Sequence, residues 1–143
     1  MRILPLEVYD FAGSLRIMAH FLLTSENPHI FTFIKAIVDT GSPNTLISPV
    51  DMKKMRLSKI QLNKLAGRHK PVNIGGGQIH TKVLEDAKIR MGEDFEIKMP
   101  VEFPIQNEDS SIPSLLGVDF MLKTKARLIF DPSNRKAYFE IED

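Results

Sequence analysis

The sequence predicts an all-β, or mostly β, domain: a single closed barrel with one or two short helices. Three observations carry this. Apolar residues alternate with polar ones over most of the chain, which is strand periodicity. Turn clusters such as Ser25-Glu26-Asn27-Pro28, Gly92-Glu93-Asp94 and Asp131-Pro132-Ser133-Asn134 separate the alternating runs. With 143 residues, the chain has the length of one domain and can bury a core of its own. The reading is therefore one domain over residues 1–143, in which residues 1–13 have no assignable role.

Taken in order, Leu15, Ile17, Ala19, Phe21 and Leu23 alternate, Phe31–Val38 is β-branched and aromatic, and the turn between them makes a hairpin. Ser48 is a candidate N-cap, with Pro49 at the first helical position and Asp51 three residues on, so a helix starts there. In Ser58–Leu65 the apolar spacing fits neither period. Val83, Glu85, Ala87, Ile89 and Met91 share one face, interrupted by a charge. Phe95, Ile97, Met99, Val101 and Phe103 form a cleaner stripe. Gln106–Ser111 is polar and reads as a loop, and Val118–Lys123 as a short helix. Leu128–Phe130 and Ala137–Ile141 make a closing hairpin.

Composition narrows the function. Lys and Arg number 19 against 18 Asp and Glu, a net charge of +1, so no basic excess points to nucleic acid or an anionic membrane. The absence of cysteine removes disulfides, Cys-ligated zinc and thiol chemistry. Pro5, Glu7 and Asp10 interrupt any signal-peptide core, and the longest apolar runs are far short of the ~20 residues a span needs. The expected location is the cytoplasm. His20, His29, His69 and His80 lack metal-ligand spacing. Glycines 75–77 with Lys82 do not have phosphate-loop spacing, and Ser42 lies in no nucleophile elbow.

The informative stretch is Ala36-Ile37-Val38-Asp39-Thr40-Gly41-Ser42. A strand ends by delivering a carboxylate, a hydroxyl and a glycine into a tight turn. Asp-Thr-Gly alone arises by chance in about one chain in forty of this length, and an ordinary Asx turn accounts for it. Two further features stand beside it. Ile74-Gly75-Gly76-Gly77-Gln78-Ile79 is a glycine cluster between strand-like arms, Lys70–Asn73 and His80–Leu84. Leu115-Leu116-Gly117-Val118-Asp119-Phe120 is an apolar pair and a glycine entering a short helix. Each has a bland reading, a glycine hairpin and a packing glycine. Asp119 reads as a helix-start cap, or as a buried polar contact to the Asp39 loop.

In this order the three features resemble the retropepsin-like aspartic proteases, over about Leu15 to Ile141. The resemblance implies that two Asp-Thr-Gly loops meet at a two-fold axis and that the paired aspartates activate a water. Only one such loop occurs here, so the active form would be a homodimer with Asp39 from each chain. By the same resemblance Thr40 bonds across the axis, Gly41 turns backbone amides toward the carboxylates, and Ser42 donates its hydroxyl to Asp39, lowering the pair's pKa. Ile74, Gly75, Gly76 and Gly77 belong to a β-hairpin flap over the substrate, Leu115 lines an apolar subsite, and Leu116, counted with Leu115 among the substrate-binding residues, packs behind the loop. Terminal strands, including Ala137–Ile141, are candidates for the dimer interface. The substrate is an extended peptide or protein segment; no metal or cofactor is required. A dimeric peptide-binding module on the same fold that hydrolyses little or nothing, and a half-domain paired with a different chain, are the alternatives.

Overall fold

The computed structural model describes residues 1–67, 80–105 and 112–142, with the backbone of 72–74 and 77–79. Eleven strands are present among them: β1 (Arg2–Phe11), β2 (Ser14–Ser25), β3 (Ile30–Val38), β4 (Ala66–Gly67), β5 (Val72–Ile74), β6 (Gly77–Ile79), β7 (Thr81–Met91), β8 (Phe95–Pro104), β9 (Leu115–Leu116), β10 (Arg127–Asp131) and β11 (Lys136–Ile141). The helices are α1 (Pro49–Met55), α2 (Lys59–Asn63) and α3 (Val118–Thr124). The mostly-β expectation holds, with three short helices among the described residues. No helix among them is long and apolar enough to cross a membrane.

The main sheet runs β10-β11-β1-β2-β3-β9, and β7 branches from β2 carrying β4 and β8. β1 turns the corner: Arg2–Leu6 pairs with β11 and Glu7–Phe11 with β2. The first dozen residues, which carry no motif, are thus structural. Both edges of β11 are taken, by β10 and β1, so Ala137–Ile141 has no free edge to interleave with a partner.

The expected closed barrel is not closed by continuous ladders. Between β9 and β8 the links among the described residues are single bridges at Leu46, to Leu115 and to Glu102. The reason is local: Ser48 and Pro49 end the extended backbone two residues later by starting α1. Ser48 caps α1 by accepting the Asp51 amide at 3.0 Å, with Pro49 in its first turn, as the residue types predict.

The charge that interrupts the β7 stripe is absorbed by an irregularity. The β7–β8 register shifts between Leu84 and Ala87, so that Leu84, Ala87, Ile89 and Met91 are all buried while Glu85 and Asp86 stay exposed. An extra residue in one strand re-aims those that follow. In α2, a capping box between Ser58 and Gln61 starts the helix, and only half-buried Leu57, Leu62 and Leu65 touch the core. Five residues are too few to display a helical period, which is why the spacing there looked like neither element.

The core forms between the β2–β3 hairpin, β7–β8 and α3. Phe21 lies opposite Ile34, and Ala19 opposite Ala36. Phe120 of α3 and Phe139 of β11 are fully buried, with ring centroids 5.3 Å apart. Phe139→Ala is expected to lower stability by about 3–5 kcal/mol. Phe33→Ala, at a residue 71% exposed, should change it by less than about 0.5 kcal/mol. Urea unfolding of both variants tests this; equal midpoints would contradict the assignment of the core.

Candidate active site

Asp39 follows directly on β3. Its amide donates to the Leu116 carbonyl at 3.0 Å, and its own carbonyl accepts the Ser42 amide at 3.1 Å, closing a tight turn. The Gly41 amide donates to Asp39 Oδ1 at 2.9 Å, so the carboxylate is aimed by its own loop. A Cβ at Gly41 would stand 3.2 Å from that oxygen and push on it. Thr40 is exposed, and Asp39 is half-buried.

Ser42 departs from expectation. It is 5% exposed, and its hydroxyl donates to the Asn44 carbonyl at 2.7 Å, not to the Asp39 carboxylate. The side chain points inward, where the Asn44 backbone carbonyl takes its proton. Ser42 therefore braces the loop.

β9 is threaded between two parts of this segment. On one side it pairs in parallel with Ile37 and Val38. On the other, Leu46 and Leu115 exchange amide–carbonyl bonds of 2.9 and 2.8 Å. Leu116 is 1% exposed and belongs to the core cluster, so it cannot touch substrate as a subsite residue would; it packs behind the loop. Leu115, 8% exposed, lies outside that cluster.

Gly117 makes the crossing possible. A Cβ there would lie 2.5 Å from the Asn44 carbonyl oxygen and 2.7 Å from that of Ser42, both backbone atoms. Its amide donates to Thr45 Oγ1 at 3.1 Å, and the Val118 amide donates to the Ser42 carbonyl at 2.8 Å. Asp119 reaches the same loop: Oδ2 accepts the Thr45 amide at 2.9 Å and Oδ1 the Thr45 hydroxyl at 2.8 Å. Of its two expected uses, the contact to the loop is present; Gly117, with no side chain, is the N-cap of α3. Burial pushes the Asp119 carboxyl above its ordinary value, against the opposing pull of the bonds from Thr45 and Phe120.

A second buried network braces the far end of the loop, and sequence reasoning missed it. Ser114 Oγ donates to Asp51 Oδ2 at 2.6 Å and accepts the Ser48 amide at 2.8 Å. Lys54 closes on Asp51 Oδ1 at 2.9 Å. The available signal was three short polar residues, Ser48, Asp51 and Ser114, inside apolar segments. Among the described residues no group of three His, Asp or Glu is arranged to hold a metal ion.

The glycine cluster does form a hairpin. β5 and β6 pair Val72 with Ile79, Asn73 with Gln78 and Ile74 with Gly77. The second arm is Gly77–Ile79, not His80–Leu84, because Thr81–Leu84 pairs with β8. Gly75 and Gly76, and Lys70 of the first arm, lie outside the described residues.

Two substitutions test this geometry. Ser42→Ala should cost about 1 kcal/mol of stability by removing the bond to the Asn44 carbonyl, while the pH dependence of any activity stays unchanged; a displaced profile would put the hydroxyl back on Asp39. Gly117→Ala should cost about 3 kcal/mol or more, because backbone must move, and thermal unfolding within a few tenths of wild type would contradict the close approach.

Comparison with known proteins bears on the fold and the family. Three solved structures share the fold. A retropepsin-like aspartic protease from Rickettsia conorii superposes with a TM-score of 0.58 at 17% identity, covering 96% of this chain and 88% of that one. EIAV protease in complex with an inhibitor gives 0.54 at 13% identity, covering 85% and 100%. The retroviral protease-like domain of Ddi1 from Leishmania major gives 0.50 at 17% identity, covering 88% and 96%. No curated protein matches the sequence. A family model described as aspartyl protease matches residues 32–120, a span that includes Asp39 and Gly117. The chain belongs to the aspartyl protease family, on a retropepsin-like fold.

Proposed function

We propose that the chain is an aspartic endopeptidase that works as a homodimer, with Asp39 of each copy forming the catalytic pair. The observation that carries this is the loop at the end of β3: one carboxylate, aimed by the Gly41 amide at 2.9 Å and braced from behind by β9 and Gly117. The chain has a single Asp-Thr-Gly, so it supplies half of a two-carboxylate site, and a second copy supplies the other half.

Two carboxylates ~3 Å apart repel by roughly 5 kcal/mol at an effective dielectric near 20. That is about four pKa units, so the pair keeps one proton at working pH. The ionised partner takes a proton from the attacking water while the protonated one hydrogen-bonds the scissile carbonyl. The tetrahedral intermediate then collapses as a proton passes to the leaving amine. This chemistry draws on no metal or organic cofactor. Thr40, exposed in the single chain, bonds across the axis. The hairpin Ile74–Ile79 closes over an extended peptide and excludes water, with Gly75, Gly76 and Gly77 letting backbone approach the substrate. Leu115 forms part of the floor beneath an apolar residue next to the scissile bond.

Asp39→Asn is expected to lower cleavage of a peptide library by a factor of about 10⁴ or more with the fold intact, in keeping with the loss of an essential general base. Sedimentation of the active protein should give a dimer. Equal cleavage by wild type and variant, or a monomer that cleaves, would refute the proposal. Peptide binding without cleavage by either protein, across acidic to neutral pH, would identify a binding module instead.

A further inference from the structure

Asp119 and Thr45 are 74 residues apart in sequence and meet behind the Asp39 loop. Thr45 is fully buried and held on several sides. Its amide goes to Asp119 Oδ2 and its hydroxyl proton to Asp119 Oδ1. With that proton committed, the lone pairs of Oγ1 are free for the Gly117 amide at 3.1 Å. The Thr45 carbonyl takes the Glu102 amide of β8 at 3.0 Å. Asp119 Oδ1 also accepts the Phe120 amide at 2.9 Å. The carboxylate therefore receives three donors and offers none.

We infer that Asp119 is a positioning residue: its ionised carboxylate latches Thr45, holds the loop that presents Asp39, and releases it on protonation. A neutral carboxyl carries a hydrogen on one oxygen: on Oδ2 it faces the Thr45 amide, a donor against a donor, and on Oδ1 the Thr45 hydroxyl must stop donating and accept it. Either way, one of the two bonds that Thr45 donates to the carboxylate is lost. The catalytic consequence rests on the aspartic protease reading above; the loop geometry does not.

The surroundings set when this happens. Asp119 lines a cavity of about 320 Å³ with Asn44, Gly67 of β4, Glu85 of β7 and Glu102 of β8. The carboxylates of Glu85 and Glu102 line it with Asp119, and the Lys82 ammonium of β7 lies beside Gly67 at its edge. Glu102 takes the Thr81 hydroxyl at 2.6 Å. On α3 itself the nearest charge along the chain is Lys123, one turn on. Burial moves the latch toward milder acid than an ordinary carboxyl. The sign for stability is the opposite of that for order. A carboxyl whose folded pKa is raised binds its proton more tightly in the fold. Its contribution is most favourable below the unfolded pKa and declines as pH rises through the folded one. The latch is therefore closed where it costs stability.

The test uses the full-length chain as wild type, Asp119→Asn, Asp119→Ala and Asp39→Asn. In wild type the Thr45 amide resonance should titrate with a midpoint above ordinary carboxyls. The titration should vanish in Asp119→Asn, which keeps an acceptor and the shape but does not ionise, and persist in Asp39→Asn. The wild-type kcat should fall on the acid side at a higher pH than that of Asp119→Asn, with KM unchanged. Asp119→Ala should lower kcat by about 10- to 100-fold and speed amide exchange over residues 39–46. A flat Thr45 resonance in wild type, a titration that survives in Asp119→Asn or disappears in Asp39→Asn, or identical acid limbs would overturn the inference. If Asp119→Ala does not fold, the Asp119→Asn titration decides. If no protein cleaves any peptide, the protease reading fails, and the Thr45 titration and exchange still decide the latch.

Discussion

The tight backbone approach at Gly117 governs the rest of the site. At Gly117 the chain passes so near the Asn44 and Ser42 carbonyls that a single methyl group would overlap both, at 2.5 and 2.7 Å. Because the two segments can approach so closely, β9 fits between Val38 and Leu46, and a strand of only two residues has both edges paired. The same approach brings the Asp39 amide to the Leu116 carbonyl, which fixes where β3 stops and where the carboxylate begins. α3 then starts at Val118 with Gly117 as its cap, and its first turn carries Asp119 back to the loop. A larger residue at Gly117 would disturb every one of these positions together.

Around that crossing, polar groups are buried and nearly all of them are spoken for. No buried side-chain nitrogen or oxygen among the described residues lacks a hydrogen-bond partner. Ser42, Thr45, Ser48, Asp51 and Ser114 are all buried, in a region that a hydrophobic core of equal size could fill with less desolvation cost. The arrangement fits a requirement for direction more than for stability. Apolar packing tolerates small slides, whereas a chain of hydrogen bonds at 2.6–3.1 Å breaks when a loop moves by an ångström. On the proposed reading, a carboxylate that meets its twin across an axis would need that directional support.

How much of this was legible beforehand depends on the range of the interaction. The cap and first turn of α1, the β2–β3 hairpin and the β10–β11 hairpin follow from neighbouring residues, and local chemistry announced them. So did the place of Asp39 at a strand end. The shift in β7 was visible as a charge in an apolar stripe, but its remedy depends on β8. β1 carries no motif because its job, joining two ladders, is defined by its partners. The hydroxyl of Ser42 was misread because two acceptors lie within reach of one side chain, and sequence does not say which the rotamer will meet. Thr45 with Asp119 and Asp51 with Ser114 are 74 and 63 residues apart. Serine and threonine are too common for such pairs to stand out.

The Asp39 loop and the glycine hairpin are held in opposite ways. The loop is locked into the main sheet by β9, by Leu46 and by two buried networks. Among the described residues, β5 and β6 form a sheet of their own, paired over three residues each. A two-stranded ribbon of that size is marginal in water by itself, so its position is decided by what it can lie against. On the proposed reading, an extended peptide would offer it both backbone partners and apolar surface. A rigid loop would then keep the carboxylate's aim independent of substrate, while closure of the hairpin would depend on it. Reversing the two would leave the reacting groups to be aligned by substrate alone, and the alignment energy would come out of binding.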